Sequence, residues 1–385
     1  MSPQPLSAHS EVLIVGAGLA GAAAAAALGR RGFRRVRLLE REARDGSHAS
    51  GRNAGMVRQM VSSSALTRLS IETAREFARR AREAPAFPFR AGGSWLIGDP
   101  ARLAALEAVT PGLGRLVDAS DVARACPSWR GAPAEGVLHT PDDGLVDPLP
   151  LLAHFLGEAE RLGVERRRSE VRALVRAGDA IRGVETDHGR LGADLVILAA
   201  GAWSDGLARE AGARPLGLRR TRRHLARCRA EAPLLAPGAF VWDLERDLYL
   251  RPWGDDPRDF LATPGDDEPV PGEDALADFD SRREDLLDRL AGRLGRRPRI
   301  EEVWAGVRTF TPDGDFAIGF DPGLAGLFWA TGLGGHGVSS SWAVGRLVAD
   351  LIGGADHPLA RALSPARFGG ADRRDDQSSS ASHSK

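Results

Sequence analysis

The sequence of 385 residues is poor in cysteine, tyrosine and lysine. Its two cysteines, Cys126 and Cys228, are too few for a disulfide framework or a cysteine-based metal centre, so no metal site is expected. Free thiols in a chain without an export signal indicate a reducing cytoplasm. Lysine occurs once, at Lys385, so arginine supplies nearly all of the positive charge.

An excess of charge of either sign is also missing. Basic and acidic residues both total 52, so composition does not favour nucleic acid or an anionic membrane surface as a partner. With 43% hydrophobic and 27% charged residues, the chain is typical of a globular protein and is long enough for two interleaved domains. We expect residues 1–10 and the Ser-rich residues 369–385 to be disordered tails.

A long uninterrupted apolar segment is absent as well. The stretch from Val12 to Gly29 is uncharged and nearly long enough to span a bilayer. However, glycines interrupt it, Glu11 precedes it, and the basic residues follow it, which is opposite to a signal peptide. We therefore expect neither a transmembrane segment nor a signal peptide here.

What this stretch does contain is a βαβ pattern, VLIVGAGLAGAAAAAALGRRGFRRVRLLE, which ends at Glu40. Gly16 is placed for the tight turn, Gly18 for close approach of a pyrophosphate to the backbone, and Gly21 for close packing of helix on strand. The helix N-terminus then faces phosphates with unpaired N–H groups. Glu40 is placed to bind an adenosine ribose, so the pattern predicts dinucleotide binding.

Three later segments fit the same region. The small-residue loop Gly46 to Met60 is either an ordinary loop or a loop lying along a flavin. The apolar strand Ala193 to Ala199, followed by Gly201, belongs in a central parallel sheet. The segment Gly332 to Ile352 is a glycine loop that opens a helix, and it would present backbone N–H groups and a helix dipole to a cofactor.

The motifs together, including GRNAG, ILAAGAWSD, PLGLRRTRRH, LYLRP, WAGVRTF and GLGGHG, resemble those of the FAD-dependent D-amino-acid oxidase-like oxidoreductases, in order over about residues 11 to 365. Within this family they are most similar to the bacterial D-arginine dehydrogenases. The resemblance implies a mixed α/β protein with a discontinuous Rossmann-like FAD-binding domain, residues 11–90, 145–215 and 300–368. A mixed, largely antiparallel sheet would form the substrate-binding domain, residues 91–144 and 216–299.

The family pattern also assigns the cofactor site. FAD is expected to be noncovalent, because Arg52 stands where some relatives attach the flavin through a histidine. We expect His48 to pack within its loop. The glycine pattern and the resemblance together predict FAD contacts at Gly16, Gly18, Ala20, Gly21, Glu40, Arg41, Ala49, Ser50, Gly51, Arg52, Asn53, Ala54, Gly55, Met56, Val171, Gly201, Gly334, Gly335, His336, Gly337, Val338 and Ser339.

For the substrate, the resemblance implies that Arg308 and the hydroxyl of Tyr249 hold a carboxylate, with Arg223 as a second pocket arginine. An arginine fork matches a carboxylate with two parallel hydrogen bonds. The alternative is a buried tyrosine with a satisfied hydroxyl beside a structural arginine. His336 would contribute through its backbone or, alternatively, through a catalytic side chain.

Departures from the D-arginine dehydrogenases concern the substrate. Ser94, Val61 and Met56 stand where those enzymes have an acid, a tyrosine and a histidine. A cationic side chain would lose its counter-charge, and burying it unpaired costs several kcal/mol. We therefore expect an apolar D-amino acid, or a cyclic or N-methylated amino acid, and not a strongly cationic substrate.

The predicted reaction is hydride transfer from Cα of a carboxylate-bearing amine to flavin N5, giving an imino acid that water hydrolyses to a 2-oxo acid. Three alternatives stay open: an NAD-dependent dehydrogenase, a secondary-amine oxidase of the sarcosine, glycine or proline type, and a flavin-binding subunit of a larger complex. Some oxidases of this superfamily place a lysine near flavin N5, where its charge favours the reaction with oxygen. The only lysine here is Lys385, in the expected disordered tail. We therefore predict a dehydrogenase that uses a quinone or an electron-transfer protein as acceptor.

Overall fold

The computed structural model describes residues 9–61, 63–131, 135–272 and 280–369. Most of the predicted tails, residues 1–8 and 370–385, lie outside the described residues. The prediction for residues 9 and 10 is wrong, because the first strand begins at His9 and pairs there with Gly192. The described chain reaches Gly369, which follows a short 3-10 turn.

Helices are few and mostly amphipathic. Their bounds are α1 (Leu19–Arg30), α2 (Ser64–Glu83), α3 (Pro100–Val109), α4 (Pro148–Arg161), α5 (Ser204–Glu210), α6 (Asp280–Leu294), α7 (Ser341–Ile352) and α8 (Ala360–Leu363), with 3-10 turns at Ala119–Arg124, Gly201–Trp203 and Pro365–Phe368. Residues 65–84 and 149–162 have apolar residues at helical spacing in the sequence, which predicts helices there, and the observed helices agree within one residue at each end. The charged amphipathic pattern over 275–294 also predicts a helix; α6 lies within it, and residues 275–279 lie outside the described residues.

The strands are β1 (His9–Val15), β2 (Val36–Glu40), β3 (Met56–Val57), β4 (Phe89–Ala91), β5 (Ser94–Gly98), β6 (Arg115–Val117), β7 (Gly136–Thr140), β8 (Gly144–Val146), β9 (Glu165–Arg168), β10 (Val171–Ala177), β11 (Ala180–Thr186), β12 (Gly189–Leu198), β13 (Arg219–Arg229), β14 (Phe240–Asp243), β15 (Leu248–Pro252), β16 (Asp259–Ala262), β17 (Glu268–Pro269), β18 (Arg299–Phe310), β19 (Ala317–Phe320) and β20 (Leu327–Thr331).

An eight-stranded sheet carries the predicted dinucleotide motif. Its centre is parallel: β12 pairs with β1 on one side and with β20 on the other, and β2 pairs with β1 and β9. The predicted place of 193–199 in a central parallel sheet is therefore confirmed. Antiparallel β10, β11 and β19 extend the edges.

Helix α1 is rich in alanine because it is buried on all sides. It packs against α7, where a Cβ added at Gly345 would lie 2.4 Å from the carbonyl oxygen of Ala23. Larger residues on either helix would separate the two backbones. The same core cluster contains apolar residues of α2 and α4, so α1 is held rigidly with its N-terminus at the end of β1.

A nine-stranded, mainly antiparallel sheet forms the second region, and β3, β4 and β8 form a small third sheet. Strand β18 lies along β13 from the pair Arg219 and Phe310 to the pair Arg229 and Arg299. The sequence analysis had grouped residues 300–310 with the first region, whereas the structure pairs them in the second sheet. The mixed α/β class is confirmed, and the division into two domains stays a prediction.

Candidate functional site

Two cavities meet where the ends of the first sheet face the second sheet. The first has a volume of about 580 Å³, and the second has a volume of about 160 Å³. The two cavities share some of their lining residues, among them Gly18, Ser50, Arg52 and Gly201. The two cavities therefore form one continuous groove, which we describe from the glycine end.

The first cavity begins at the tight turn between β1 and α1. Gly16 has φ +100°, a conformation that favours glycine, and an added Cβ would lie 2.6 Å from the carbonyl oxygen of Ala199. A Cβ at Gly21 would lie 1.9 Å from the carbonyl oxygen of Gly16. Both distances are far too short for a real contact, so the two glycines hold the start of α1 against the end of the sheet.

The N-terminus of α1 has no side-chain cap from Gly18, its N-cap residue. The backbone N–H of Leu19 donates to the hydroxyl of Ser50 over 2.9 Å. By helix geometry the N–H groups of Ala20 and Gly21 also lack an intrahelical acceptor, and Ala20 lines the groove. Such a helix end attracts phosphate through these donors and through the helix dipole.

Glu40 lies at the end of β2 and lines the first cavity. Its carboxylate accepts the backbone N–H of Ala17 over 2.9 Å and the backbone N–H of Glu42 over 3.0 Å. Each oxygen keeps a further lone-pair direction, because a carboxylate offers about four acceptor positions. The side chain is thus held in place and can still accept hydrogen bonds from a ribose.

Aromatic and charged side chains form the outer wall of the first cavity. The guanidinium of Arg41 lies 4.0 Å from the ring centroid of Trp203, and the ring of His48 lies 4.7 Å from it. His48 also bonds to Glu42 over 2.9 Å, and this bond, with Arg41, lowers the pKa of Glu42. His48 therefore packs within the wall of the cavity, against Trp203.

The second cavity is lined by Tyr249 of β15, Arg308 of β18 and Arg223 of β13. The antiparallel register of β13 and β18 places Arg223 opposite Gly306, two residues before Arg308. A Cβ at Gly306 would lie 2.9 Å from the carbonyl oxygen of Arg52, so glycine lets the 46–60 loop approach the strand. The predicted substrate residues are thus brought together beside that loop.

Arg308 has no hydrogen bond or ion pair within the described residues, and its side chain lines the cavity. Burial, together with the positive charge of Arg223, lowers the pKa of Arg308. The guanidinium nonetheless stays protonated, because its ordinary pKa is above 12. Tyr249 is only 1% exposed, and its ring contacts Trp242 with centroids 5.3 Å apart.

Arg223 is buried, and its Nε and Nη1 atoms have no hydrogen-bond partner. One ion pair reaches it, from Asp247 at 3.5 Å. Asp247 has φ +44°, an unusual conformation for a residue with a side chain, and it is half-exposed. Arg223 and Arg308 are therefore two neighbouring cations with weak compensation from the protein.

His336 does not line either cavity. Burial, with the positive charges of Arg58 and Arg308, lowers the pKa of His336 to about 3. Its ring is therefore neutral at physiological pH. Its backbone shapes the loop before α7, where its carbonyl accepts from the backbone N–H and the hydroxyl of Ser340.

Most predicted cofactor residues do line the groove, and three besides His336 do not: Gly21, Gly51 and Ser339. Gly51 closes its loop, since a Cβ there would lie 2.3 Å from the carbonyl oxygen of Gly46. The predicted residues that line one or both cavities are Gly16, Gly18, Ala20, Glu40, Arg41, Ala49, Ser50, Arg52, Asn53, Ala54, Gly55, Met56, Val171, Gly201, Gly334, Gly335, Gly337 and Val338.

Arg251 is a residue that the sequence analysis did not single out. It is 3% exposed and donates to the carbonyl oxygens of Ala54 over 2.7 Å and Pro252 over 2.8 Å. A Cβ at Gly55 would lie 2.9 Å from its Nη1. Arg251 therefore ties the 46–60 loop to β15, two residues after Tyr249. A signal existed, since LYLRP places a charge in an otherwise buried strand.

Arg58 was also missed. Its guanidinium lies 4.4 Å from the ring centroid of Trp242, and burial lowers its pKa to about 10 against the opposing attraction of Asp143. The signal was again a lone arginine between buried residues, in MVRQM.

Of the three departures from the arginine-specific relatives, only Met56 lines the groove. Ser94 is fully buried and donates to Asp143 over 2.6 Å. Val61 belongs to the large apolar core that includes α1.

Three further observations concern metal ligands, membrane-spanning helices and cysteines. Across the described ranges, no group of three or more His, Cys, Asp or Glu residues could hold a metal ion. Over those same ranges, no helix is both long and apolar enough to cross a membrane. Both cysteines are buried and free, and burial raises the pKa of Cys126 to about 11.

A parallel sheet with a glycine turn, a helix N-terminus and an acidic strand end, joined to a groove lined by arginines, defines a dinucleotide-dependent oxidoreductase. The chain belongs to the family of FAD dependent oxidoreductases, whose pattern it matches over residues 11–351. The cofactor of this family is FAD. The groove fits FAD for two reasons. Side chains larger than glycine would not fit in the tight turn, and the N-cap residue Gly18 provides no side chain to cap α1, which leaves helix N–H groups for a phosphate.

Named relatives act on amines and amino acids. The chain is 29% identical to 4-methylaminobutanoate oxidase (formaldehyde-forming) of Paenarthrobacter nicotinovorans over 96% of this chain and 47% of the relative. It is 32% identical to glycine oxidase of Pseudomonas aeruginosa over 54% of this chain and 53% of the relative. The chain thus spans about half the length of these curated relatives.

Solved structures share the fold. L-proline dehydrogenase from P. horikoshii has a TM-score of 0.84 at 21% identity, covering 94% of this chain and 98% of its own. Glycine oxidase from Geobacillus kaustophilus has a TM-score of 0.81 at 24% identity, covering 94% and 99%. These likenesses concern the fold alone.

Proposed function

We propose that the protein oxidises a D-amino acid, which is an amine that bears a carboxylate. Oxidation of the Cα–N bond gives an imino acid, which water hydrolyses to a 2-oxo acid. The observation that carries this proposal is the guanidinium of Arg308, which lines the groove beside Tyr249 and has no hydrogen bond to any of the described residues. Arg308 is half-buried, and a partly desolvated cation without a partner is costly unless a ligand supplies the anion.

In this proposal, Arg308 binds the substrate carboxylate through two parallel hydrogen bonds, and the hydroxyl of Tyr249 donates a third. Both side chains stand on strands of the second sheet, so the carboxylate is held by a rigid wall. FAD, when bound, supplies the acceptor for the hydride that leaves Cα. The two residues contribute orientation, because they fix the direction in which the Cα–H bond points.

The amine must be neutral for its lone pair to assist loss of the hydride. The positive charges of Arg223 and Arg308 favour this form, because a nearby cation lowers the pKa of an ammonium group. His336 is a poor general base, because a ring with a pKa of about 3 is too weakly basic to accept a proton near neutral pH. We therefore assign its contribution to the backbone of the loop before α7.

The substrate is not strongly cationic in this proposal. Arginines line the second cavity, and the buried carboxylate nearest to Ser94 is Asp143, which is occupied by hydrogen bonds from Ser94 and Gln59. A lysine or arginine side chain would meet positive charge without a free anion. The comparison of kcat/KM for D-arginine with that for neutral D-amino acids tests this, and a tenfold preference for D-arginine would contradict it.

A secondary amine is the second candidate. The relative that covers 96% of this chain is named for oxidation of a methylamino acid, and the residues that bind a carboxylate do not distinguish NH₂ from NHCH₃. Sarcosine and proline therefore belong in the same screen.

The electron acceptor in this proposal is a quinone or an electron-transfer protein, so the enzyme is a dehydrogenase. Support comes from the lack of lysine in the described residues and from the neutral ring of His336. The test is stopped-flow reoxidation of the substrate-reduced enzyme in air. Reoxidation faster than turnover, with stoichiometric hydrogen peroxide, would make the protein an oxidase. A cytoplasmic location, supported by two free thiols, is tested by cell fractionation.

The deciding experiment for the function is an anaerobic screen of D-amino acids, sarcosine and proline with the FAD-loaded protein. We expect bleaching of the flavin absorbance by at least one carboxylate-bearing amine, with the 2-oxo acid as product. A protein that binds FAD but is reduced by none of these amines would instead be a flavin-binding subunit, and the proposal would fail.

A further inference from the structure

Arg58 is a cation that lies near the second cavity without being one of its lining residues, and among the described residues it has no bonded counter-ion. Its guanidinium stacks on Trp242. Among the described residues, no hydrogen bond reaches it and no carboxylate oxygen lies within ion-pair distance. Arg58 is half-buried, and even partial desolvation of a positive charge without such a partner costs free energy, so a bound anion would stabilise this arrangement.

The position of Arg58 links it to the substrate site. Trp242, on which it stacks, also contacts the ring of Tyr249. The charge of Arg58 acts on both Arg308 and His336, and it is the larger of the two charges that keep the His336 ring neutral. Arg58 therefore belongs to the same site as Arg308, although it stands on a different element, just after β3.

The nearest negative group does not neutralise Arg58. Asp143 is fully buried and is bonded by the backbone and side-chain N–H groups of Gln59 and by the hydroxyl of Ser94. Burial raises the pKa of Asp143 to about 6, against these hydrogen bonds that lower it. Asp143 attracts Arg58 from a distance, but its own hydrogen bonds hold it facing Ser94 and Gln59.

The other charged groups around the site are already engaged. Asp247 pairs with Arg223 at 3.5 Å, and Arg102 pairs with Glu245 at 3.3 Å on the exposed side. One substrate carboxylate would neutralise Arg308. The positive charge of Arg58 then remains without a bonded carboxylate among the described residues, and only the more distant Asp143 and Asp247 attract it.

We propose that Arg58 binds a second anionic group of the substrate, so that the preferred amine is a dicarboxylic amino acid. The inference rests on the proposed function for the Arg308 end of the site. The Cζ atom of Arg58 lies over the Trp242 ring, 4.4 Å from its centroid, and a guanidinium held in this way can still donate two parallel hydrogen bonds to a carboxylate. Arg58 is thus a specificity-determining residue for the end of the substrate that does not react.

The test uses the oxidised FAD-loaded protein and ligands that it cannot oxidise. Succinate, glutarate and adipate are titrated against the monocarboxylates of the same chain length, butyrate, valerate and hexanoate, and the change in flavin absorbance gives each Kd. We expect at least one diacid to bind about 10- to 100-fold more tightly than its partner, the range for a charge-assisted contact. Equal affinity throughout the series would overturn the proposal.

Three variants assign the effect. Arg58→Met should remove the preference for the diacid, and Arg58→Lys should keep part of it because the charge remains. Arg102→Met is the matched control, since it removes a nearby exposed positive charge that does not belong to the site. If Arg102→Met lowered the preference as much as Arg58→Met, the effect would be a general field and not a contact.

Turnover separates this inference from the proposed function. D-glutamate and D-aspartate are compared anaerobically with their amides, D-glutamine and D-asparagine, in wild type and Arg58→Met. Flavin reduction by the amides without preference for the acids would overturn the role of Arg58 and leave the proposed function intact. Tight diacid binding without reduction by any amine would support the Arg58 site and contradict the proposed reaction.

Discussion

The glycine end of the first cavity is shaped by the backbone of one short segment, whereas the second cavity carries side chains from three strands. Where β1 passes into α1, glycines allow close approach, and Gly18 provides no side-chain cap for the N–H groups of the helix. At the other end of the groove, Arg223, Tyr249 and Arg308 reach in from β13, β15 and β18. Substitutions of the glycines at the first end should therefore disturb the fold. Substitutions of the side chains at the second end should change ligand binding and leave the fold intact.

The largest expected effect is at the backbone end. Gly21→Ala places a Cβ 1.9 Å from the carbonyl oxygen of Gly16, so the start of α1 must move away from the sheet. We expect loss of FAD binding and destabilisation of roughly 3 kcal/mol or more, since overpacking a rigid core costs about 1–3 kcal/mol and here displaces backbone. Thermal unfolding and flavin content measure both.

Gly157→Ala is the matched control, because Gly157 is also a helical glycine and an added Cβ there meets nothing within 4 Å. It should keep FAD and gain about 0.5–1 kcal/mol from the better helix propensity of alanine. If both variants behaved alike, the close approach at Gly21 would not be what holds the turn.

At the side-chain end, Arg308→Met should spare the fold and impair the substrate. We expect KM to rise about 30-fold or more, since the loss of a charge-assisted contact costs roughly 2–5 kcal/mol, with FAD still bound. Steady-state kinetics with the best amine of the screen measure this.

Arg219→Met serves as the comparison for Arg308→Met, because Arg219 stands on the same strand pair and is exposed. An unchanged KM in Arg308→Met, or an equal rise in Arg219→Met, would contradict the assignment of the carboxylate site.

A smaller effect is expected at Glu40, whose side chain holds the backbone of the glycine end in place. Glu40→Ala removes the acceptor for the N–H groups of Ala17 and Glu42 together with the ribose contact. We expect FAD affinity to fall about 10- to 100-fold, with protein that loses flavin on gel filtration. Full flavin occupancy after dilution would argue that the backbone alone suffices.

The smallest effect concerns the buried carboxylate behind Arg58. The pKa of Asp143 rises to about 6 on folding, so folding disfavours its charged form, and stability should fall as pH rises from about 4 to about 6. Asp143→Asn should remove this dependence and raise the free energy of unfolding at pH 7 by about 1–3 kcal/mol. Denaturant unfolding at several pH values tests this, with Asp142→Asn, an exposed neighbour, as control.

The sequence predicts the backbone end well, because the roles of Gly16, Gly18, Gly21 and Glu40 follow from spacing within one βαβ unit. It predicts the side-chain end only through resemblance, since nothing local connects Arg223, Tyr249 and Arg308. Arg58 and Arg251 were missed, because their importance depends on Trp242 and Ala54, which are distant in sequence. The pairing of residues 300–310 with β13 could not be read from the sequence for the same reason, because it is a long-range contact.

Tyr249 is the only tyrosine of the chain, and it is buried at the wall of the second cavity. Every spectroscopic signal specific to tyrosine therefore comes from the second cavity, where we propose that the substrate binds. A fluorotyrosine label would give one fluorine resonance per chain, and it would report ligand binding and phenol ionisation without any need for assignment. Tyr249 can therefore serve as a natural spectroscopic probe of the place where the reaction is proposed to occur.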